Sequence, residues 1–285
     1  MAQLLDIIYP TLYIEVGMYA EYFGLAELPF RITPDPRFLW YSDQHQEAKQ
    51  KIIYHINESA GPIYLLADIG TGKTTIAKRI VEELSSDKNK IVVFVFSPKL
   101  PTTNAFLRFI MDEFEVPTAR SYSQSLKNFE NFLLEQNQKS ISPVLLIDEA
   151  QNMTRDMLLL IQHLFNFSTE TKFLVQMAMF GQPELQPKLD QLHSLKSRLN
   201  VAKLKAFDQK QTEEMLNFRW HVAGGKKLPF DDEAIKEIFE RTNGIPRSIV
   251  KLANESLIKT AVDNKKIVGR EAVVAAYSEL TINTL

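Results

Sequence analysis

The chain has 285 residues, 45% of them hydrophobic and 24% charged, with a formal net charge of -2. These are the proportions of a soluble globular protein and exclude a disordered or fibrous chain. The charge is not that of a dedicated duplex-DNA-binding domain, so any basic DNA-binding surface has to be a local stripe or one built by oligomerisation. There are no cysteines, which excludes disulfides, thiolate catalysis and cysteine-based zinc sites and fits a reducing cytoplasm, the expected location.

The first 17 residues are apolar in patches, with Asp6, Pro10 and Glu15 among them. They lack the positive start and small-residue cleavage site of a secretory signal. A short extension or strand packing on the body is the expectation, a subunit-contact arm the alternative, and Met18 offers a second start. No run reaches the roughly 18 to 20 apolar residues that span a bilayer.

Residues 19–41 are rich in aromatics and prolines, including Tyr22, Phe23, Phe30, Phe38 and Trp40. Thr33-Pro34-Asp35-Pro36 cannot be helical, so an extended lead-in packed by its aromatics is predicted. A helix follows from Asp43 to about Glu58. Beyond it, short apolar runs alternate with helical periodicity. Strands are predicted at 62–66, 91–96, 143–147, 173–180 and 201–204, with helices at 74–85, 103–114, 126–136 and 156–167. Strands apolar throughout and separated by helices indicate a parallel sheet covered on both faces. From Gln209 only helices follow, at about 209–222, 231–242, 247–263 and 269–278. The expected organisation is a lead-in (1–41), an α/β nucleotide-binding domain (42–206) and a small all-helical lid domain (207–285).

Ala67-Asp68-Ile69-Gly70-Thr71-Gly72-Lys73-Thr74 lies between an apolar run and a helix. This is the context of a phosphate-binding loop, G-x-x-x-x-G-K-[ST], with Ala67 at the first glycine. Gly70 and Gly72 let the backbone curl so that N–H groups turn inward at phosphate oxygens. The next helix adds its own N-terminus, so Asp68 through Thr75 form the expected ATP site. Lys73 is suited to the β and γ phosphates and the Thr74 hydroxyl to Mg²⁺. About 75 residues past Lys73, a third apolar run ends in Asp148-Glu149. Ligand sites of parallel sheets lie at the carboxyl ends of strands. Asp148 is therefore expected to hold Mg²⁺ and Glu149 to polarise the attacking water.

These motifs resemble those of the AAA+ ATPases, and within them the ExeA/GspA type, which is also similar to the TniB/TnsC transposition ATPases. Tyr19 to Gly24, Pro29-Phe30, Thr33 to Leu39, Gly70 to Thr75, Asp148-Glu149-Ala150-Gln151, Gly181 to Leu185 and Gly244-Ile245-Pro246-Arg247 carry the resemblance in order. It implies an AAA+ P-loop fold with a central parallel sheet and a helical lid. It further implies that Gln182 senses the γ-phosphate or water, that Arg247 does so from the lid, and that Arg198 is an arginine finger facing a neighbouring subunit. A homo-oligomeric ring or filament is thereby implied. An ordinary surface or helix-end arginine is the alternative for Arg198 and Arg247. His45 reads either as an adenine neighbour or as a solvated helix residue. Lys99, Thr102 and Thr103 match a segment that contacts DNA backbone in the transposition relatives, with a helix cap beside a surface lysine as the alternative. Secretion members of the type often continue into a membrane span and a peptidoglycan-binding domain. Neither is found up to Leu285, which weakens the direct secretion-machine reading, though shorter soluble relatives serve pilus assembly.

The expected function is an ATP-hydrolysing oligomeric regulator associated with DNA, a transposition-type target-selection or adaptor ATPase working with a transposase. The alternative is a soluble ATPase of a secretion or type IV pilus system acting on protein partners. A non-catalytic scaffold is disfavoured by the intact Lys73, Asp148 and Glu149.

Overall fold

The computed structural model describes residues 18–32 and 35–282; the expectations for residues 1–17 and for Thr33-Pro34 fall outside them. The described residues divide into two compact units, one of residues 43–205 and one of the described residues before 43 together with those from 206 on. In chain order the elements are α1 (Met18–Phe23), α2 (Asp43–Asn57), β1 (Ile63–Leu66), α3 (Lys73–Ser85), β2 (Lys90–Val95), α4 (Thr103–Glu113), α5 (Tyr122–Gln138), β3 (Ser142–Ile147), α6 (Arg155–Phe165), β4 (Gln176–Gly181), α7 (Leu185–Asp190), α8 (His193–Lys196), β5 (Asn200–Lys203), α9 (Gln209–Val222), α10 (Asp232–Thr242), α11 (Pro246–Val262) and α12 (Arg270–Ile282).

The unit of residues 43–205 is a parallel sheet flanked by helices. Its strands run in the order β2-β3-β4-β1-β5, and every pairing is parallel. β1, β3 and β4 are the inner strands, and they are buried along almost their whole lengths. This is why their residues read as unbroken apolar runs rather than alternating ones. Phe106, Ile110, Phe129, Leu133, Leu158 and Ile161 from α4, α5 and α6 are fully buried in the same core. Hydroxyl caps set where these helices start: Thr102 accepts from Ala105 N at 3.1 Å and Ser121 from Gln124 N at 3.1 Å. The second cap extends α5 four residues ahead of the predicted start. β4 starts three residues later than predicted. Thr169 N donates to Lys172 O, and the turn so formed brings Phe173 back to pair with Ser168 rather than with the sheet.

The second unit is helical. α10, α11 and α12 pack on one another and on α9 around Leu216, Trp220, Ile238, Ile249 and Leu257. Contrary to the extended lead-in predicted, residues 18–23 form α1, and Pro36–Phe38 a 3-10 turn. Its prolines begin only at Pro29, so nothing forbids a helix before them. Nor does it stand apart, since Tyr19, Leu25, Leu28, Phe30 and Phe38 share the core of the C-terminal helices. Trp40 meets Phe207 edge-on at 5.1 Å and Phe30 meets Phe230 at 6.2 Å. Gly244 has φ +68, and a Cβ there would lie 1.9 Å from the carbonyl oxygen of Phe207. Only glycine allows the chain to pass so close.

Arg219 of α9 fastens the lead-in. Its guanidinium donates to the carbonyls of Pro29 (2.8 Å), Phe38 (3.1 Å) and Arg31 (2.9 Å) and stacks over the Phe38 ring. Burial pushes its pKa down to about 10, so it stays charged at neutral pH. Among the described residues no helix is long and apolar enough to cross a membrane.

Removing Arg219 would strand three carbonyls and uncover the Phe38 ring. Arg219→Ala is expected to destabilise the helical unit by about 2–4 kcal/mol, measured by denaturant unfolding of the full chain. Loss of less than about 0.5 kcal/mol would show that the clamp does not hold the lead-in.

Candidate active site

The strand order brings the ends of β1, β3 and β4 together, because β4 lies between the other two. Leu66 at the end of β1 is level with Gly181, and Ile147 at the end of β3 with Met179. Ala67 N donates to Gly181 O at 3.1 Å. The loop after β1, the Asp148-Glu149 pair after β3 and Gln182 after β4 therefore emerge side by side.

The loop curls as its glycines suggest, with φ +83 at Gly70 and +101 at Gly72. Thr71 is fully buried. Its hydroxyl donates to Asp68 O at 2.7 Å and closes the turn. Ile69 is exposed, so its side chain does not shape the loop interior. Lys73, Thr74 and Thr75 form the first turn of α3, whose leading N–H groups have no partner within the helix. His45 is buried beneath the loop rather than solvated, and its Nε2–H donates to Thr71 O at 2.8 Å. Burial lowers its pKa and favours the neutral ring. A Cβ at Gly72 would come within 3.0 Å of that nitrogen, a second reason for glycine there.

Thr74 Oγ1 donates to Asp148 Oδ2 at 2.8 Å. Asp148 is fully buried, and Oδ1 accepts from Glu149 N at 2.8 Å. Burial raises its pKa, while the bonds from Thr74 and from the Glu149 amide hold it down. Among the described residues no cluster of three or more histidines or carboxylates is built for an all-protein metal cage. One hydroxyl and one carboxylate, both hard oxygen donors, fit Mg²⁺, which keeps several waters and takes few protein ligands.

Glu149 has φ +53, a left-handed conformation that costs a non-glycine residue about 1 kcal/mol or more and is common at functional sites. Its Oε1 is 3.7 Å from Lys73 Nζ. Its Oε2 accepts from Gln182 Nε2 at 3.0 Å and from Gln151 Nε2. Loop lysine, carboxylate pair and Gln182 thus form one cluster, joined by Gln151 and His45, two residues for which sequence reasoning set no such role.

The remaining candidates lie elsewhere. Arg198 is exposed and donates to Asn166 Oδ1. It precedes β5, whose first residue is level with the first residue of β1, at the sheet edge opposite the loop. Arg247 is exposed in the first turn of α11, in the helical unit. A cation there opposes the helix dipole, so helix stability does not explain it. Lys99, Thr102 and Thr103 follow β2, on the same sheet edge as the loop but three strands across. Lys99 and Thr102 are exposed, and the Thr102 hydroxyl is engaged as the cap of α4.

Residues 56–189 match the model of the AAA domain family. The chain is 32% identical over 266 residues to general secretion pathway protein A of Aeromonas hydrophila, covering 91% of this chain and 48% of that protein; it spans about half the length of that relative. Among solved structures, Drosophila ORC bound to DNA matches with a TM-score of 0.67 at 15% identity, over 96% of this chain and 67% of that one. Cdc6p from Pyrobaculum aerophilum matches with a TM-score of 0.62 at 16% identity, over 88% and 70%. At such identities the structures establish the fold alone. Residues 56–189 are thus similar to the AAA domain family, the fold is one shared with ORC and Cdc6p, and the chain is similar to general secretion pathway protein A over most of its own length.

Proposed function

We propose that this AAA+ ATPase binds ATP at residues 67–75 and hydrolyses it with Mg²⁺ held at Thr74 and Asp148. The observation that carries this reading is the 2.8 Å contact of Thr74 Oγ1 with Asp148 Oδ2, beside Glu149 at 3.7 Å from Lys73. Mg²⁺, when bound, would neutralise phosphate charge. In this reading the loop amides and Lys73 hold the β and γ phosphates, so the phosphoryl group is fixed before reaction. Glu149 orients the attacking water and takes its proton. Gln182 contacts the γ-phosphate or that water. Arg247 and, from a neighbouring copy, Arg198 supply positive charge to the same phosphate.

Two readings stand for what the hydrolysis drives. One is a DNA-associated oligomeric regulator of the transposition type, with Lys99, Thr102 and Thr103 on the phosphate backbone. The exposure of Lys99 and Thr102, and a fold shared with a DNA-bound ORC, support it. The other is an ATPase of a secretion or pilus system acting on protein partners, and the 32% identity to general secretion pathway protein A favours it. Fluorescence anisotropy of labelled duplex DNA separates them. ATP-dependent binding that weakens steeply between 50 and 200 mM salt is the signature of phosphate contacts. No binding at 50 mM salt with ATP present would remove the DNA reading.

Lys73→Ala is expected to weaken ATP binding by about 10- to 100-fold, the worth of a charge-assisted contact to phosphate; unchanged affinity by fluorescence titration would displace the loop assignment. Glu149→Gln should retain ATP binding while turnover falls by about 10²- to 10⁴-fold. Wild-type turnover in that variant would remove Glu149 as the base.

A further inference from the structure

The Gln151 side chain joins two groups of the cluster. Its Nε2 donates to Glu149 Oε2 at 2.5 Å, and its Oε1 accepts from the backbone N–H of Gln182 at 3.0 Å. The two contacts fix the amide orientation, since an N–H needs an acceptor and a carboxylate needs a donor. A glutamate of the same length could not donate, and a lysine could not accept. The backbone of Gln151 is held as well. Lys188 of α7 donates to Gln151 O at 2.5 Å and to Met153 O at 2.9 Å, pinning the 3-10 turn at Ala150–Asn152.

The consequence falls on Glu149. Gln151 and Gln182 both donate to Oε2 and so occupy it with two N–H groups. Oε1 is left facing Lys73, on the side of the phosphate loop. The carboxylate is thereby oriented with one oxygen anchored and the other turned toward the position of a bound phosphate. Because Gln151 also grips the Gln182 backbone, the turn after β3 and the end of β4 are tied at this point.

We infer that Gln151 is the positioning residue for Glu149, presenting Oε1 as the proton acceptor and coupling it to Gln182. The inference rests on Glu149 acting as base. In that step the water oxygen bonds to the γ-phosphorus and its proton passes to Oε1. The bond from the γ-phosphorus to the bridging oxygen breaks, and its electron pair stays on ADP. Gln151 touches none of the reacting atoms. Its contribution is geometric, and a misplacement on the order of 1 Å is enough to cost about 100-fold in rate.

The test compares ATP turnover and fluorescent-ATP affinity of the full chain for Gln151→Ala, Gln151→Glu, Glu149→Gln and the double variant Glu149→Gln/Gln151→Ala. Gln151→Glu keeps an acceptor for the Gln182 amide and replaces the donor to Glu149 by a second carboxylate oxygen, which breaks that contact and repels Oε2, so it reports on the clamp where the alanine variant fails to fold. Both Gln151 variants are expected to lower kcat by about 10- to 100-fold. KM and nucleotide affinity should stay within about twofold, a split that simple loss of structure does not give. Gln151→Ala should cost nothing further in the Glu149→Gln background. Wild-type kcat in Gln151→Glu, or loss of affinity in parallel with kcat in both Gln151 variants, would overturn the inference while Glu149→Gln stays inactive. Turnover retained by Glu149→Gln would instead remove the base itself.

Discussion

The hydrogen bond from Thr74 Oγ1 to Asp148 Oδ2 joins residues 74 apart in sequence, and the rest of the site is arranged around it. Asp148 has no exposed surface. A carboxylate taken out of water is costly unless its charge is answered by hydrogen bonds or a cation. One hydroxyl and one backbone N–H answer part of it, and burial still raises the proton affinity of the group. A helix start and a strand end are thus held together around a residual negative charge. Such a place suits a small hard cation bridging to phosphate, and it is a poor place for anything apolar.

Sheet topology explains why few residues suffice. β4 separates β1 from β3, and it extends two residues beyond the level of Ile147 to bring Gly181 opposite Leu66. A Cβ at Gly181 would lie 2.6 Å from the Leu185 side chain, so the chain turns sharply there and α7 folds back. That return carries Lys188 onto the carbonyls of Gln151 and Met153. The segment that delivers Gln182 thus also fixes the turn after Glu149, and one rearrangement at the end of β4 would be felt at the carboxylate.

The sheet and the loop were legible because their physics is local. Buried parallel strands are apolar throughout, and a phosphate loop needs glycines, a lysine and a hydroxyl at fixed spacing. The ends of β1 and β3 follow from those patterns to within a residue. The ordering of Gln151, His45 and Lys188 around the cluster depends on contacts across 26 to 37 residues, which periodicity does not encode. The Gln two residues after Glu149 was the only available sign of the first. Likewise the lead-in reads as a segment packed by its aromatics with no sign of what it packs on, because the groups that hold it, Arg219 and Asn254, come about 190 and 235 residues later.

Arg198 illustrates how geometry constrains a role that sequence only suggests. It precedes Asn200, which is level with Ile63 at the start of β1, whereas the phosphate loop begins after Leu66. Four strand residues at about 3.3 Å each place roughly 13 Å of sheet between those levels. An arginine side chain, about 7 Å long when extended by the same atomic dimensions, does not cross that distance. A phosphate bound in its own loop is therefore out of reach, and the hydrogen bond to Asn166 turns the guanidinium toward the end of α6. If Arg198 acts on a nucleotide at all, that nucleotide belongs to another copy of the chain. Catalysis through Arg198 and assembly then become a single requirement, and its loss would leave an isolated subunit's own loop chemistry untouched.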